Sequence, residues 1–453
     1  MSVALILPTQ LFKKPIINSG KIYLYEHPSC FTKYNYHKNK LVLHRSSMKY
    51  YVDFLQGKNI QTKYINFYES IEPIFERESK LIIYDSIDHD IRREFNKLSK
   101  KYNTELIIYD TPLFLNTYED LQEYIEQHEH AFIHSNFYKY QRIRLNLFID
   151  KNDKPLFGKW SFDKDNRKPF PKDFDIDFNP KPVNNEYITE AIEYVENNFA
   201  NNFGEINFFL PITHKDARKH FNNFLKTKLE YFGPYEDAVD ENIFSGTHSL
   251  LSPLLNIGLI TPEEIIEEIR YYKFNGSVEA FVRQIIGWRE YMRMFYEFKY
   301  DTIKLNHFNH HKKITKDWYN GTTGLLPCDV IINKVIKYGY AHHIERLMYL
   351  SAPMLLHEFS PKQIHDWFMM FIDAYPWVMP GNVYAMGQFA TGPIITKRPY
   401  FSSSNYIIKM SSYKKGEWSQ EWDDLYYAFI KKHAKEFSKI YSLARSVAYI
   451  KNK

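Results

Sequence analysis

Short apolar runs separated by polar, helix-compatible stretches fill residues 1–115 of the chain. The runs lie at Val3–Leu7, Ile22–Tyr25, Leu81–Tyr84 and Leu106–Tyr109, and Lys40–Gln56 is one of the polar stretches between them. Alternation of this kind predicts a doubly wound parallel sheet that is covered by helices on both faces. No G-x-G-x-x-G follows the first run, so a dinucleotide site of the usual kind is not expected there.

The pattern changes towards the middle of the chain. Residues 150–183 are rich in Pro, Asp and Lys and lack an apolar period, which is typical of an extended linker. Helical periodicity follows at Asn185–Phe199, His214–Lys228, Thr261–Tyr272, Val278–Phe298, Asp329–His357 and Pro361–Ala374. The sequence therefore predicts an α/β domain at residues 1–130, an interdomain linker at 131–184 and a larger all-helical domain at 185–453.

The cysteine content and the N-terminus bear on the compartment. Cys30 and Cys328 are too few for a disulfide framework or a Cys-only metal site, and they suit a reducing compartment. The apolar run Val3–Leu7 is too short for a signal peptide or a membrane span. We expect a monomeric cytoplasmic protein, or a nuclear one in a eukaryotic host, that does not bind membranes.

The net charge of +5 is distributed unevenly. Residues 380–453 contain 12 Lys and Arg against 5 Asp and Glu. A basic section on a near-neutral body suggests a polyanionic partner, although a solvated helical surface has the same composition.

The first of four motifs is the string Gly246-Thr247-His248-Ser249-Leu250-Leu251-Ser252-Pro253, which continues to Gly258. Small hydroxyl residues before a helix that starts with proline can hold a phosphate through hydroxyl and backbone N–H groups. An ordinary helix cap is the alternative explanation.

The second motif is the helical run from Phe281 to Tyr291. Gln284, Trp288 and Tyr291 can share one face of that helix. Gly287 beside Trp288 can permit the close approach of a ring or another helix. A buried amphipathic helix with two solvated arginines, Arg283 and Arg289, is the alternative.

The third motif is the run from Gly339 to Met348, which contains two adjacent histidines. His342 and His343 cannot point the same way on a helix, so one can enter a cavity while the other packs or caps. A zinc site is not indicated, because no H-E-x-x-H or paired-Cys spacing accompanies them.

The fourth motif, residues 377–393, is an aromatic and amide-rich loop punctuated by glycines. Such a segment can approach a flat ligand with its backbone and offer it an amide, as from Asn382. Taken alone it could be only a loop.

In this order the four motifs resemble the FAD-binding half of the photolyase/cryptochrome superfamily. Ser-Leu-Leu-Ser-Pro-Leu-Leu at 249–255 resembles the flavin-phosphate segment, and Trp288-Arg289-Glu290-Tyr291 resembles the W-R-E-[FY] helix. His342-His343-Ile344-Glu345-Arg346 resembles the H-H-x-x-R run of (6-4) photolyases. The strings M-G-Q-F-A-T-G at 386–392 and K-R-P-Y-F-S-S-S-N-Y-I at 397–407 resemble the bacterial (6-4)-photolyase-like branch.

The resemblance implies a light-driven DNA-repair flavoprotein that reverses pyrimidine dimers by electron transfer from reduced FAD. It assigns proton donation to His343, with His342 and Asn382 as further catalytic residues. The FAD-binding residues that it implies are Tyr235, Thr247, His248, Ser249, Leu250, Ser252, Gln284, Trp288, Arg289, Tyr291, Arg346, Asn382, Met386 and Gln388.

The resemblance also implies an electron relay, an antenna pigment and a DNA surface. Trp367 is expected next to the flavin, with Trp318 and Tyr319 as the following steps. A lumazine-type pigment would lie near Gln10, Glu26, Tyr36 and His37. UV-damaged DNA is the expected partner, and the residues that would contact it are Lys397, Arg398, Tyr400, Lys409 and Lys414.

One departure from that branch is large. Its iron–sulfur members use four cysteines, and here only Cys328 stands at such a position. The other three would fall near Lys414, Glu417 and Gln420. A cubane cluster needs about four thiolates, so neither a cluster nor another metal is expected.

Two other functions stay open at this stage. A cyclobutane-dimer photolyase would use the same flavin, and so would a cryptochrome that senses blue light without repairing DNA. Fold alone cannot separate these functions. His343 and the basic C-terminal section favour repair, and an unrelated helical enzyme is the remaining possibility.

Overall fold

A computed structural model describes residues 2–172, 174 and 179–451. In this part of the chain five parallel strands form one sheet, in the order β3-β2-β1-β4-β5. The strands are β1 (Val3–Ile6), β2 (Lys21–Tyr25), β3 (Gln61–Ile65), β4 (Lys80–Tyr84) and β5 (Glu105–Tyr109). Because the chain moves outwards from β1 first on one side and then on the other, the predicted doubly wound parallel sheet is confirmed.

Strand β3 was missed by the sequence prediction. It is an edge strand, and in the sequence Gln61-Thr62-Lys63-Tyr64-Ile65 only Ile65 is buried. Its residues alternate between exposed and half-buried before Ile65, so the continuous apolar run that marks the other strands, including the second edge strand β5, is absent here.

The helices of the first part of the chain lie between and after the strands. They are α1 (Pro28–Phe31), α2 (Lys38–Gln56), α3 (Glu72–Arg77), α4 (His89–Tyr102), α5 (Tyr118–Gln127) and α6 (His134–Arg144). Helix α6 lies inside the segment predicted as a linker from residue 131. The chain becomes irregular only after Arg144, apart from the short 3-10 turns Leu156–Gly158 and Asp163–Asp165. Residues 173 and 175–178 of the predicted linker lie outside the described residues.

The second part of the chain is helical, as predicted. Its α-helices are α7 (Glu186–Asn198), α8 (His214–Thr227), α9 (Leu229–Tyr235), α10 (Ser252–Ile257), α11 (Pro262–Ile269), α12 (Gly276–Val282), α13 (Glu290–Phe298), α14 (Asp317–Asn320), α15 (Leu326–Tyr338), α16 (Ala352–Leu356), α17 (Pro361–Phe368), α18 (Ser404–Met410), α19 (Glu417–Lys432), α20 (Ala434–Phe437) and α21 (Tyr441–Lys451). A 3-10 turn lies at Tyr300–Lys304, and π-helical segments lie at Arg283–Arg289, Glu345–Ser351 and Gly381–Gly387.

The helix limits follow local signals in most places. Thr261 starts α11 with a reciprocal capping box to Glu264. Ser360 precedes Pro361 in the same way, but its side chain makes no capping hydrogen bond. The predicted stretch 329–357 is interrupted, because Gly339 takes a left-handed conformation with φ of 75° and ends α15.

The two faces of the sheet are covered by different parts of the chain. Helices α3 and α4 pack on one face through apolar side chains such as Phe75 and Phe95. On the other face, α2 joins the sheet to α7 and the later helices in one continuous apolar core. Within the described residues, every helix is too short or too polar to cross a lipid bilayer.

We predict that Gly258→Ala destabilises the fold. Gly258 ends α10 with φ of 83°, and a Cβ there would lie 2.7 Å from ring carbons of Phe12 in the loop after β1. The left-handed conformation and the crowding each cost on the order of 1–3 kcal/mol. Denaturant unfolding should show a lower midpoint for this variant.

Gly276→Ala is the matched control. Gly276 begins α12, and its nearest neighbour would lie 3.9 Å from an added Cβ. Alanine is the better helix former, so this variant should be as stable as the wild type or more stable. Equal unfolding midpoints for the Gly258 variant and the wild type would contradict the prediction.

Candidate active site

Three π-helical segments surround one cavity of about 250 Å³ in the helical part of the chain. They are Arg283–Arg289, Glu345–Ser351 and Gly381–Gly387, and each carries residues of a predicted motif. A π turn widens the helix by one residue per turn, so side chains rotate out of the ordinary helical register. Such turns concentrate at functional sites, and sequence periodicity does not show them.

Residues from all four motifs line this cavity together, although they lie up to 134 positions apart in the chain. The predicted site residues on its wall are His248, Ser249, Leu250, Ser252, Gln284, Trp288, Arg289, His343, Arg346 and Asn382. The structure therefore brings together most of the predicted constellation.

The other predicted cofactor residues do not line the cavity. Thr247 is buried and donates a hydrogen bond to the carbonyl of Tyr235. Tyr235 packs against Phe170 and Phe174 of the segment after α6.

Three more of these residues lie outside the cavity lining and have partners within the protein. The Tyr291 hydroxyl donates to the carbonyl of Phe132, 2.6 Å away. The amide nitrogen of Gln388 donates to the Ser351 carbonyl and hydroxyl, and Met386 lies in the apolar core.

Asp373 is the polar centre of the cavity wall, and the sequence did not reveal it. Its carboxylate accepts hydrogen bonds of 2.6 Å from Ser252 Oγ and from the Arg346 guanidinium. Its backbone carbonyl accepts from Asn256 Nδ2 at 3.1 Å. A nearly buried carboxylate needs such partners, so Asp373 fixes these three residues relative to one another.

Arg289 and Glu290 attach the second motif to the loop after β5. Arg289 donates to the Leu113 carbonyl and, at 2.7 Å, to Asn256 Oδ1. The buried carboxylate of Glu290 accepts from the backbone N–H groups of Leu115 and Asn116. Burial lowers the pKa of Arg289 to about 10.

Gly287 and Trp288 meet helix α6 on the outer side of the same motif. The Trp288 ring stacks on His134 with 3.7 Å between ring centroids. A Cβ on Gly287 would lie 3.2 Å from atoms of His134 and Tyr138. The predicted close approach at this glycine is confirmed.

The two adjacent histidines separate as predicted. His342 is buried and stacks on His248, with 4.3 Å between the ring centroids, and its backbone N–H donates to Glu345. His343 faces the open cavity. The His343 side chain is exposed there. The protein atoms packed around its ring, together with nearby Arg346, lower the pKa of His343 to about 4.

A row of aromatic residues leads from the cavity towards the surface. Phe368 lines the cavity and packs edge-to-face on Trp367, with ring centroids 5.0 Å apart. Trp367 is buried and its Nε1 donates to the carbonyl of Trp318, which is also buried. Tyr319 follows in the chain and is 37% exposed. The predicted relay residues thus run from the inside to the outside.

Comparison with known proteins shows which proteins the chain is similar to. The family model described as deoxyribodipyrimidine photo-lyase-related protein matches residues 4–210. The (6-4) photolyase of Agrobacterium fabrum is 28% identical over 442 residues, which cover 91% of this chain and 87% of that protein. The chain is therefore similar to photolyase-related proteins over most of its length.

Two solved structures share the fold. A bacterial class III photolyase from Agrobacterium tumefaciens matches with a TM-score of 0.58 at 14% identity, over 90% of this chain and 86% of that one. An archaeal photolyase from Sulfolobus tokodaii, solved with two FAD molecules, matches with a TM-score of 0.58 at 13% identity, over 100% of this chain and 94% of that one. At these identities the matches show the architecture alone.

The residues predicted for an antenna pigment in this photolyase relative have partners inside the protein. Glu26 accepts hydrogen bonds from Arg45, Tyr64 and Tyr194. Gln10 bonds to backbone groups of Leu7 and Tyr84. The ring of His37 caps α2 and contacts the carbonyl of Ile336.

Tyr36 is the member of this set that lines a small cavity, which lies beside Lys40 and Tyr375. Its hydroxyl donates to the carbonyl of Ser29, 2.5 Å away. The antenna pigment stays a prediction.

The predicted DNA-binding residues lie on the C-terminal surface. Lys397, Arg398, Lys409 and Lys414 are exposed, and the Arg398 guanidinium lies 5.9 Å from the ring centre of half-buried Tyr400. Arg398 also donates to Ser442 of α21.

An aromatic cluster fills the region around Cys328. The Cys328 thiol is buried and donates to the Tyr349 carbonyl. It shares an apolar core with Tyr413, Trp418 and Trp422. Lys414, Glu417 and Gln420, which occupy the positions predicted for further thiolates, are exposed before and within the first turn of α19. The absence of a cluster stays a prediction.

Glu236 is a second wall residue that sequence reasoning missed. It is buried, and its carboxyl accepts hydrogen bonds from Gln284 and Asn166. Burial raises the pKa of Glu236 to about 7, with Arg283 opposing the shift. A group that holds its proton more tightly when folded stabilises the fold most at low pH, and this contribution is lost as the pH rises through 7.

We predict that Glu236→Gln removes part of the pH dependence of stability. Between pH 4 and pH 8 the free energy of unfolding of the variant should rise relative to that of the wild type by roughly 3 kcal/mol. Denaturant titrations of the cofactor-free proteins at several pH values measure this slope. Glu230→Gln, on the exposed side of α9, should leave it unchanged. Parallel pH profiles for Glu236→Gln and the wild type would show that folding does not shift the pKa of Glu236.

Proposed function

We propose that this protein is a flavin-dependent photolyase that uses light to reverse UV-induced pyrimidine dimers, with (6-4) photoproducts as its main substrate. The observation that carries the proposal is a single cavity in which a cationic, hydroxyl-lined wall and the open-facing His343 lie together. Similarity to the photolyase-related family model supports this chemistry, and similarity to the (6-4) photolyase of Agrobacterium fabrum supports the choice of lesion.

The residues of the cavity fit FAD. Arg289 is shielded from water, and its hydrogen bonds go to the neutral oxygens of Leu113 and Asn256, so its charge is available to a diphosphate. Ser249 lies on the same wall. The archaeal photolyase that shares this fold was solved with FAD.

The Arg346–Asp373 pair and Asn382 would orient the flavin ring. Arg346 and Asp373 line the cavity as a fixed ion pair with 2.6 Å between the charged atoms. Asn382 donates from Nδ2 to the carbonyl of Val378, which fixes its amide plane on the wall. Bound and reduced, FAD supplies an electron donor that absorbs blue light.

Trp367, Trp318 and Tyr319 would connect this site to external reductants. Trp367 is joined to Trp318 by the hydrogen bond from its Nε1 to the Trp318 carbonyl, and Tyr319, the next residue in the chain, is 37% exposed. In this proposal they carry electrons from an external reductant to the oxidised flavin.

His343 would hand a proton from its imidazole to the lesion. Its pKa of about 4 in the open cavity leaves the ring neutral near pH 7. The phosphates of bound DNA carry negative charge into the cavity mouth, and an opposite charge raises the pKa of a histidine. Lesion binding would therefore raise the pKa of His343 and favour its protonated form, so that the proton donor is protonated when substrate is bound.

We predict that His343→Ala abolishes (6-4) repair and retains FAD. A positioned proton donor contributes about 10²–10⁴-fold to rate. Purified proteins would be illuminated with defined (6-4) and cyclobutane substrates, and the products separated by chromatography. His130→Ala, in the exposed turn after α5, is the control and should repair at the wild-type rate.

The other outcomes of this assay distinguish the alternatives. A protein that stays colourless after incubation with FAD would refute the flavin site. An unchanged (6-4) rate in the His343 variant would remove the proton-transfer role. Repair of cyclobutane dimers alone would favour that photolyase class, and a flavoprotein that repairs neither lesion would be a cryptochrome.

We predict that Lys397→Ala/Arg398→Ala weakens binding to damaged and undamaged duplexes by similar factors. Phosphate contacts carry no lesion information, and each one that is lost should flatten the salt dependence by about one unit. Affinity would be measured against salt concentration on both duplexes. Lys13→Ala/Lys14→Ala makes the same charge change in the exposed loop after β1 and should have a much smaller effect. Identical salt slopes for wild type and the 397/398 variant would exclude this surface from DNA binding.

A further inference from the structure

Two histidines and a glutamate from three distant segments come together outside the flavin cavity. They are His310 in the loop after the 3-10 turn, Glu358 after α16 and His433 at the end of α19. One side-chain nitrogen or oxygen from each lies within 4.8 Å of the other two. None of the three lines the cavity of the candidate active site.

Both histidine rings present an unsatisfied nitrogen. His310 is 3% exposed, and its Nε2 is buried without a hydrogen-bond partner in the described chain. Nε2 of His433 is also buried and has no hydrogen-bond partner among the residues that the structure describes. Buried polar atoms are nearly always hydrogen-bonded, so unpartnered nitrogens on two neighbouring imidazole rings require an explanation. Burial lowers the pKa of His310 to about 4, which keeps its ring neutral.

The surroundings hold these rings in place. Phe308 stacks on His310 at 5.5 Å and contacts His433 at 4.7 Å, measured between ring centroids. The side-chain amide of Asn306 accepts a hydrogen bond from the backbone N–H of His310 and donates one to the His310 carbonyl. Glu358 has φ of 61°, a conformation that is uncommon for a residue with a side chain.

The ion pair between Glu358 and Lys432 does not explain the histidines. The Lys432 ammonium lies 2.7 Å from each carboxylate oxygen of Glu358. This pair accounts for the glutamate alone and leaves both imidazole nitrogens without a partner. A carboxylate has about four acceptor sites, so Glu358 can bind the ammonium and a further cation together.

We propose that His310, Glu358 and His433 bind one divalent transition-metal ion, with zinc as the best match. Two imidazoles and one carboxylate form a known zinc ligand set, and a water molecule would complete the four-coordinate shell. Metal–ligand bonds of 2.0–2.2 Å place tetrahedral ligand atoms about 3.4 Å apart. The three candidate ligand atoms lie within 4.8 Å of one another in the structure, and rotation of the half-exposed Glu358 side chain can shorten its distances to the two histidines.

The ion would fasten the C-terminal helices to the rest of the protein. His433 ends α19, which packs with α20 and α21 in an apolar core that also contains Phe308. His310 and Glu358 belong to earlier segments of the chain. The ion would therefore crosslink these segments to the C-terminal helices, which include Ser442, the hydrogen-bond partner of Arg398.

The test measures zinc bound to full-length protein after treatment with a chelator. Dialysis against micromolar zinc, followed by elemental analysis, should give one zinc per chain. His433→Ala and Glu358→Gln should each weaken binding at least tenfold and should lose the zinc-dependent rise in melting temperature. Glu358→Gln preserves the shape of the side chain, so it stays informative if a histidine variant fails to fold.

Three control variants sharpen the result. His311→Ala removes a neighbouring exposed histidine that contacts Asn309, and His343→Ala removes one from the flavin cavity. Both should bind zinc like the wild type. Lys432→Met should bind at least as tightly, because it removes a competing cation.

Several results would overturn the proposal. Wild-type protein that retains no stoichiometric zinc at micromolar concentration would do so. Wild-type affinity in both His433→Ala and Glu358→Gln would do so as well. Loss of zinc from Lys432→Met would contradict the proposed competition between the lysine ammonium and the metal ion for Glu358.

Discussion

The ion pair of Asp373 with Arg346 is the interaction on which the cavity depends. The Asp373 carboxylate also accepts from Ser252, and its carbonyl accepts from Asn256. Asn256 in turn accepts from Arg289, and Arg289 reaches the Leu113 carbonyl in the loop after β5. Segments that are distant in sequence are joined in this way by charges that cannot be left unpaired in a shielded site.

The π-helical segments show why this network leaves an opening at its centre. A regular helix would direct every third or fourth residue of the second and third motifs into the packing interface. The extra residue in each π turn breaks this register at Arg283–Arg289 and Glu345–Ser351. Polar side chains such as Gln284 and Arg346 then face the cavity, while apolar neighbours such as Ile286 and Leu350 remain in the core.

The sequence predicted those parts of the structure that depend on local patterns. The buried strands, the Thr261 cap and the different environments of His342 and His343 each follow from neighbouring residues. Strand β3 did not, because its polar alternation at the sheet edge resembles a loop.

Asp373 and Glu236 escaped prediction for a different reason. Neither stands in a recognisable motif, and the importance of each arises only from partners more than 20 positions away. Pairings of that range are properties of the fold. For the same reason the sequence placed Tyr291 and Gln388 at the cofactor, whereas the structure gives their polar groups partners at Phe132 and Ser351.

The region around Cys328 shows how one fold can hold its C-terminal helices by different means. Iron–sulfur relatives would place a thiolate-ligated cluster there. In this chain Tyr413, Trp418 and Trp422 form edge-to-face contacts, with 6.4 Å and 6.1 Å between successive ring centroids. Buried aromatic residues stabilise this region through the large apolar areas that they bury, and this packing does not require a bound metal.

Aromatic packing of this kind fixes the start of α19 without any dependence on thiol oxidation. The far end of the same helix carries His433, whose ring nitrogen has no protein partner in the described chain. If the metal proposed there binds, α19 is held by apolar packing at one end and by coordination at the other. The C-terminal surface that is predicted to contact DNA would then be anchored by the imidazole at the end of this helix, and not by the thiolates that the resemblance to iron–sulfur relatives would place at its start.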